Sequence, residues 1–469
     1  MKKNYLLLAS FFTFSLFAQD VVLEATINPS GNSTPTNLTS FNGELLMRAS
    51  NGAANQGNSG IELFRFTEEG GAELVEDLRP GANSSPNNFI LYDGKLYFTA
   101  FHIPVNGIDL FSYDGTDVTS ESLYETSLSG LFNPIAFNDN LYFVGLDATG
   151  TPNRLIEYDG TSGGPVAGSG VEAVLGGHMI GYNDKLLLYM RTEDDAPTIG
   201  SELYEYDFDS EEFSLIKDIN EGSGNSLISN FTLVDGLVYF RAQSALWVTD
   251  GTSENTEEVE EAEGLNVNFF TEWNNKLYFQ GNDGENGNQL YVYDPVADEV
   301  TQLSFISGEN SDHNPRDFAA YNGFLYYAAR GTEGNDVFLW RTNGVTIEQL
   351  DDEVPGIAQL AVYNNRIFMR GDDENENSQL FSFDPITLSL SPVQVSSEIS
   401  IFPNPSTGNF QFTKDLENAK VEVYNLQGKI VLTKEVNGRS LETNLANGMY
   451  LVRVNEKGFS PTTFKVIVK

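Results

Sequence analysis

Eight times along this chain a two-residue turn signal is followed at once by a run of bulky apolar residues. The turn pairs are Asn42-Gly43, Asp93-Gly94, Asn138-Asp139, Asn183-Asp184, Asp235-Gly236, Asn274-Asn275, Asn322-Gly323 and Asn364-Asn365. The apolar runs begin at Leu45, Leu96, Leu141, Leu186, Val238, Leu277, Leu325 and Ile367, a mean spacing of 46 residues. A type I′ hairpin turn needs positive φ at both central residues, and Gly, Asn and Asp adopt it at least cost. A third strand follows each hairpin, as at Leu110-Phe111 and Leu246-Trp247, and then a weaker fourth run such as Leu215-Ile216. Four short strands at a period in the forties indicate a β-propeller. Runs such as Leu96-Tyr97-Phe98 put bulk on both faces of a sheet, whereas a sheet covered on one side only would alternate. The expectation is an all-β chain with an eight-bladed β-propeller, seven being the alternative count. Val21 to Ile27 reads as a strand able to close the ring on the last blade, with residues 385–395 competing for that place.

Charge narrows what such a propeller can meet. The 469 residues include 67 acidic and 26 basic side chains, a net charge of -41. A chain this acidic is repelled by nucleic acid and by anionic membrane surfaces. The imbalance is local: residues 19–397 hold 60 acidic and 15 basic side chains, and residues 398–469 hold 7 and 9. No cysteine is present, so disulfides, thiolate metal sites and cysteine nucleophiles are excluded. Lys2 and Lys3, the apolar run Tyr5 to Phe17 and Ala18 read as a secretory signal peptide over residues 1–18, its core too short to span a bilayer. The expected layout is this leader, a propeller over 19–390, a linker over 391–398 and a small β-sandwich over 399–469. No later segment is apolar for long enough to span a membrane as a helix, and a monomer is expected.

The tail carries its own motifs: Pro403-Asn404-Pro405 leading to Gly408, Val421 and Val423 alternating with polar residues, Asn447-Gly448 ahead of Tyr450, and Lys465 to Lys469 at the end. Alternation between glycine turns gives an Ig-like sandwich. This segment resembles the type A C-terminal sorting domain of the type IX secretion system. The resemblance implies export by the general pathway, passage across the outer membrane by the type IX machinery, and a cargo anchored at the cell surface or released. Within the propeller, Leu246 to Thr252 resembles the ELWxxDGT repeat of secreted Bacteroidetes proteins, with Ala245 in place of the first Glu. Asp109 to Thr116 and Glu202 to Asp207 are looser copies. That resemblance implies an extracellular propeller and no defined activity.

Signals of chemistry are sparse. The three histidines, His102, His178 and His313, have no metal-ligand spacing between them. No nucleophile elbow or P-loop occurs, and no catalytic residue is assigned. Four residues before the aromatic or apolar residue that precedes each hairpin turn stand Asn37, Asn88, Asn133, His178, Asn230, Phe269, Asp317 and Gln359. On the innermost strands these would ring one mouth of the channel, with Trp273, Arg316 and Glu272 expected nearby, and could bind a sugar or an ion. The other reading of the same pattern is that asparagines satisfy backbone groups where a loop enters a strand. Two acidic loops, with Asp283 and Glu285 and with Asp372 and Asp373, offer oxygen ligands of the kind calcium takes, although a solvated turn explains them equally. No other cofactor is expected. The leading function is a non-catalytic protein that binds a glycan or surface protein; a polysaccharide hydrolase or lyase and a structural adhesin are the alternatives.

Overall fold

A computed structural model of the chain describes residues 20–54, 57–102, 107–121, 132–145, 154–168, 178–192, 198–306, 312–331, 334–385, 401–425, 429–455 and 462–469. The expected leader and linker, and residues 386–395, lie outside these. The chain divides into two compact units, Met1–Ile386 and Thr387–Lys469.

The first unit contains eight four-stranded antiparallel sheets. In the second of them Asn87–Tyr92, Lys95–His102, Gly107–Tyr113 and Val118–Ser120 lie side by side in chain order, and all the others but the eighth follow suit. The eight inner strands are Thr36–Phe41, Asn87–Tyr92, Phe132–Phe137, Met179–Tyr182, Ser229–Val234, Asn266–Trp273, Arg316–Tyr321 and Ala358–Tyr363. Each touches the next, and the last touches the first, so the sheets form a closed ring of blades around an axis. The eighth blade takes its outer strand from the start of the chain: Val22 pairs with Ser382, Leu23 with Phe381 and Ala25 with Leu380. Around that seam, Arg366 bridges Glu24 and Glu68, and the Tyr363 hydroxyl donates to Gly43 O (2.8 Å) in the first blade.

The apolar runs fill the gaps between blades. Leu46, Leu63, Leu96, Phe98, Phe111 and Tyr113 pack together from blades one and two, none of them more than 3% exposed. Burying each such side chain stabilises the fold by about 1.5–3 kcal/mol, which is why both faces of the second strand must be apolar.

The ELWxxDGT pattern acquires a physical reason. Its first position lies just before the third strand's buried Leu and holds Glu62, Asp109, Glu202, Gln289 and Gln379 in five blades, all 2% exposed or less. In Glu62, Glu202, Gln289 and Gln379 the side chain receives backbone N–H groups from the segment that crosses to the next blade, whereas Asp109 accepts from the Leu110 amide and the Ser120 hydroxyl. Leu78 (3.2 Å) and Ser84 (2.8 Å) donate to Glu62; Ile219 (2.7 Å) and Asn220 (3.2 Å) donate to Glu202; Ile27 (3.1 Å) donates to Gln379. The Asp of the pattern caps the turn after the third strand. Asp114 Oδ1 accepts from the amides of Thr116 (2.8 Å) and Asp117 (2.9 Å), and Asp250 Oδ1 from that of Thr252 (2.9 Å). The Gly takes φ +102° at Gly115 and +90° at Gly251, and a Cβ on Gly115 would stand 2.4 Å from Asn42 of the preceding blade. Both the backbone angle and the close approach call for glycine.

The second unit is a five-stranded antiparallel sheet with two long members, Asn409–Tyr424 and Ile430–Glu442. Register shifts between Gln411 and Ala419 let the first of these fold over its own core. That core is Phe410, Phe412, Leu416, Val421, Val423, Val452, Val454, Val466 and Val468, the alternating residues of each strand, which makes it a small sandwich-like domain.

Candidate functional site

Seven of the eight channel positions share one backbone feature. Asn37, Asn88, Asn133, Asn230, Phe269, Asp317 and Gln359 have φ between +48° and +59°. At each, the pairing of the inner strand with its neighbour shifts register, as between Asn87 and Ile90 or between Arg316 and Ala319. Each inner strand therefore carries a β-bulge whose first residue is left-handed. Asn and Asp enter that region most readily, so the polar identity of these positions follows from the backbone. Blade four has no bulge: Met179 to Tyr182 pair without a shift, and His178 precedes the strand with ordinary φ. Burial pushes the His178 imidazole below its usual pKa.

The bulges are linked sideways. The Asn37 amide donates to Gln359 Oε1 (3.0 Å) of blade eight, and Asn37 Nδ2 donates to Asn87 Oδ1 (2.9 Å) of blade two. Asn230 Nδ2 reaches Asn268 Oδ1 (2.8 Å) in blade six, and Asn88 Nδ2 donates to Thr99 Oγ1 (3.1 Å) in its own blade. Asn37, Asp317 and Gln359 open on one cavity of about 310 Å³ lined also by Leu38, Phe89, Phe318 and Leu360. Blades seven, eight, one and two thus share a cavity at the axis. Arg316, next to Asp317 on the same strand, is not in the cavity wall; its Nε lies 3.8 Å from Asp317 Oδ2.

Two expected neighbours lie elsewhere. Trp273 and Glu272 precede the hairpin turn, four and three residues along the strand from Phe269 and hence toward its opposite end. Trp273 is 8% exposed and packs on Tyr278 with ring centroids 5.4 Å apart, so it offers no face for stacking. Glu272 accepts the Asn275 amide (2.8 Å) of the turn. An aromatic beside a turn looks the same in sequence whether it points into a blade or out of it. Phe269 is the exposed aromatic on the bulge ring, 42% accessible; its exception to the Asn/Asp pattern was the available signal.

The remaining polar candidates have structural partners. His313 is fully buried, with Nδ1 2.8 Å from Arg330 O and its ring edge-on to Trp340, and burial lowers its pKa to about 4. His102 Nδ1 lies 3.1 Å from Asp109 Oδ2. Asp283 caps its loop by accepting from the amides of Glu285 (2.9 Å) and Asn286 (2.8 Å), and Asp373 accepts from Asn375 (2.8 Å) and Asn377 (3.0 Å). Burial raises the Asp372 pKa. Among the described residues no three acidic or histidine side chains gather as a metal-ligand set, so these loops, Glu285 included, read as capped turns.

In the tail the motif residues converge. Asn404 Nδ2 donates to Lys465 O (2.7 Å) and its Oδ1 accepts the Ile467 amide (2.9 Å). The Ser406 amide donates to Ile467 O (2.8 Å), and the Lys469 amide returns to Ser406 O (2.9 Å). Gly408, at φ +100°, accepts the Thr443 amide (2.9 Å). Pro403 and Pro405 flank Asn404, so the Pro-Asn-Pro segment grips the terminal strand Thr462–Val468. Gly448 opens the neighbouring strand, which follows Asn447, and the Tyr450 hydroxyl donates to Ala446 O (2.9 Å).

Several solved structures resemble the chain at low identity. PorZ of Porphyromonas gingivalis, described as an essential surface component of its type IX secretion system, is 14% identical over 90% of this chain and 64% of its own, with a TM-score of 0.42. A puromycin-hydrolyzing peptidase of Mycobacterium tuberculosis is 10% identical over 76% of this chain and 62% of its own, at 0.46. An oligogalacturonate lyase of Vibrio parahaemolyticus is 12% identical over 78% and 91%, at 0.40. This chain spans less than two thirds of the first two. No curated protein matches it. Among the described residues no helix is long and apolar enough to cross a membrane. Residues 400–469 match the family model of the secretion system C-terminal sorting domain, and this chain therefore carries the tail that directs export by the type IX machinery to the cell surface or beyond it.

Proposed function

We propose that this protein is a non-catalytic glycan-binding propeller, delivered outside the cell by its sorting domain and holding its ligand in the axial cavity. The observation that carries the reading is the cavity at Asn37, Asp317 and Gln359. Its amides and carboxylate can exchange hydrogen bonds with sugar hydroxyls, while Phe89, Phe318 and Leu360, packed against the blade cores, form the apolar part of its wall. Its volume suits a small ligand. The three histidines are spoken for by packing or burial rather than gathered as an acid–base set. In this reading residues 1–18 are the leader that begins export, and the mature chain, a monomer, starts near Gln19.

Glycan-array screening of the purified mature protein tests the proposal, followed by titration of any hit into the Asp317→Ala and Gln359→Ala variants. Binding that weakens at least about tenfold in both supports it. No glycan bound, or a hit indifferent to both changes, overturns it; capture of a surface protein by the same cavity would move the reading to the protein-binding alternative.

A further inference from the structure

We propose that a second cavity, away from the axis, binds a carboxylate-bearing saccharide through Arg79 and Phe101. The cavity has a volume of about 510 Å³ and is built from loops of blades one and two, with Ala53, Ala54, Asn83 and Ser85 in its wall. None of its residues lines the axial cavity, so this site stands or falls independently of that one.

Several arginines of this acidic propeller sit against carboxylates: Arg65 lies 3.0 Å from both Glu44 and Glu73, Arg341 is 2.7 Å from Glu348, and Arg366 bridges Glu24 and Glu68. Arg79 sits on an aromatic ring at the edge of a cavity instead. Among the described residues no carboxylate comes within ion-pair distance of Arg79. Its guanidinium carbon instead lies 5.2 Å from the centre of the Phe101 ring, and Nη1 donates to Asn83 O at 3.3 Å. Stacking on a ring fixes the plane of a guanidinium and desolvates one of its faces. A planar guanidinium held this way presents N–H groups in the fork that matches a carboxylate.

The surroundings narrow the ligand class. Phe101 is 39% exposed, so part of its ring remains open beside the cation. The side chains of Ala53 and Ala54 in the wall are short and uncharged. The Asn83 side chain is engaged with the Ile61 amide (3.1 Å), which anchors the loop carrying Arg79. In a chain of net charge -41 every anion meets long-range repulsion, so a bound carboxylate has to gain from short-range contacts beside the fork as well. A ligand that binds must therefore combine one carboxylate for the fork with an apolar face for the ring. A uronic acid has both on one sugar.

Isothermal titration of the purified mature protein with trigalacturonate, and with galactotriose as the neutral counterpart, tests this. The expected result is binding of trigalacturonate at least about tenfold tighter than of galactotriose. Arg79→Ala and Phe101→Ala should each reduce it at least about tenfold, with Arg79→Lys intermediate because a point charge replaces the fork. Near-UV circular dichroism identical to the parent shows that each variant is folded, and either variant alone suffices for the test. Equal affinity for the two trisaccharides, no binding of trigalacturonate, or binding unchanged in a folded Arg79→Ala or Phe101→Ala overturns the proposal. So does trialanine bound as tightly as trigalacturonate, which would make the site a reader of peptide termini.

Discussion

The propeller and the tail each fasten their last strand with the segment that opens them, but by different means. The propeller seals its last blade with Val22–Ala25 from the beginning of the chain, whereas the tail secures its last strand, Thr462–Val468, with the Pro-Asn-Pro segment that opens it. The charge budgets differ as well: residues 19–397 hold 60 acidic and 15 basic side chains, against 7 and 9 in residues 398–469. In the propeller, buried acids and amides tie loops between repeated units. In the tail, one asparagine side chain and the backbone of Ser406 do the tying. Repetition spreads the closure of the propeller over many equivalent contacts, while the tail concentrates it in one motif.

The largest expected effect separates the two units by function. Removing residues 400–469 should abolish appearance of the protein in the extracellular and surface fractions while leaving the propeller folded, read by cell fractionation and by tryptophan fluorescence. Trp247, Trp273 and Trp340 all lie in the propeller, so the fluorescence reports that unit alone. Asn404→Ala sharpens the comparison: it frees the Lys465 carbonyl and the Ile467 amide, and should destabilise the tail by about 1–3 kcal/mol with no change in the fluorescence melt.

Next in size is Glu62. Glu62→Ala leaves the amides of Leu78 and Ser84 without their acceptor and should cost the propeller about 3 kcal/mol in a denaturant melt. The same side chain makes stability depend on pH. Burial raises its pKa from 4.5 to about 7, so between those values the folded form holds a proton the unfolded form has released. This contribution is fully present below about pH 4.5 and is lost as pH rises to about 7. Glu62→Gln, the residue type blades six and eight use at this position, removes the slope. Relative to that variant the parent should weaken by up to about 3 kcal/mol across the window. Parallel curves for the two proteins would show that Glu62 stays charged in the fold.

The smallest effect tests the bulges. Phe269 sits at φ +51° where other blades place Asn, Asp or Gln. Phe269→Asn should stabilise the propeller by about 0.5–1 kcal/mol, since asparagine enters the left-handed region at lower cost and the ring, 42% exposed, gives up only partial burial. A destabilised variant would mean that the ring makes packing contacts that outweigh the backbone strain.

What could be read in advance follows the same division. The hairpin turns and the period were legible because each rests on local rules repeated eight times: Asn or Asp in turns, and apolar residues on doubly covered strands. The sealing strand was one of two candidates, because a single strand carries no repeat to identify it, and the pairing of Val22 with Ser382 supplies the answer. The tail was legible through Asn404, Gly408 and the order of its motifs. The row Asn37, Asn88, Asn133 and Asn230 was visible as a pattern, yet its cause is a bulge, and a bulge shifts pairing without leaving a mark beyond the asparagine itself. Trp273 was misplaced because it lies four residues along the strand from Phe269, beside the hairpin turn, and an aromatic there looks the same in sequence whether it packs within a blade or faces the channel. Arg79 and Phe101 are 22 residues apart and belong to different elements, so nothing in the linear order joins them.

Because Val22–Ala25 completes the blade built from Ala358–Phe383, the ring has no finished intermediate. A chain emerging from the N-terminal end must keep its first strand waiting through more than three hundred residues before a partner exists. Contacts of such span are slow to form and leave an open edge in the meantime. The partner arrives just ahead of the export tail, so a cargo cut short anywhere upstream would lack both its seal and its address.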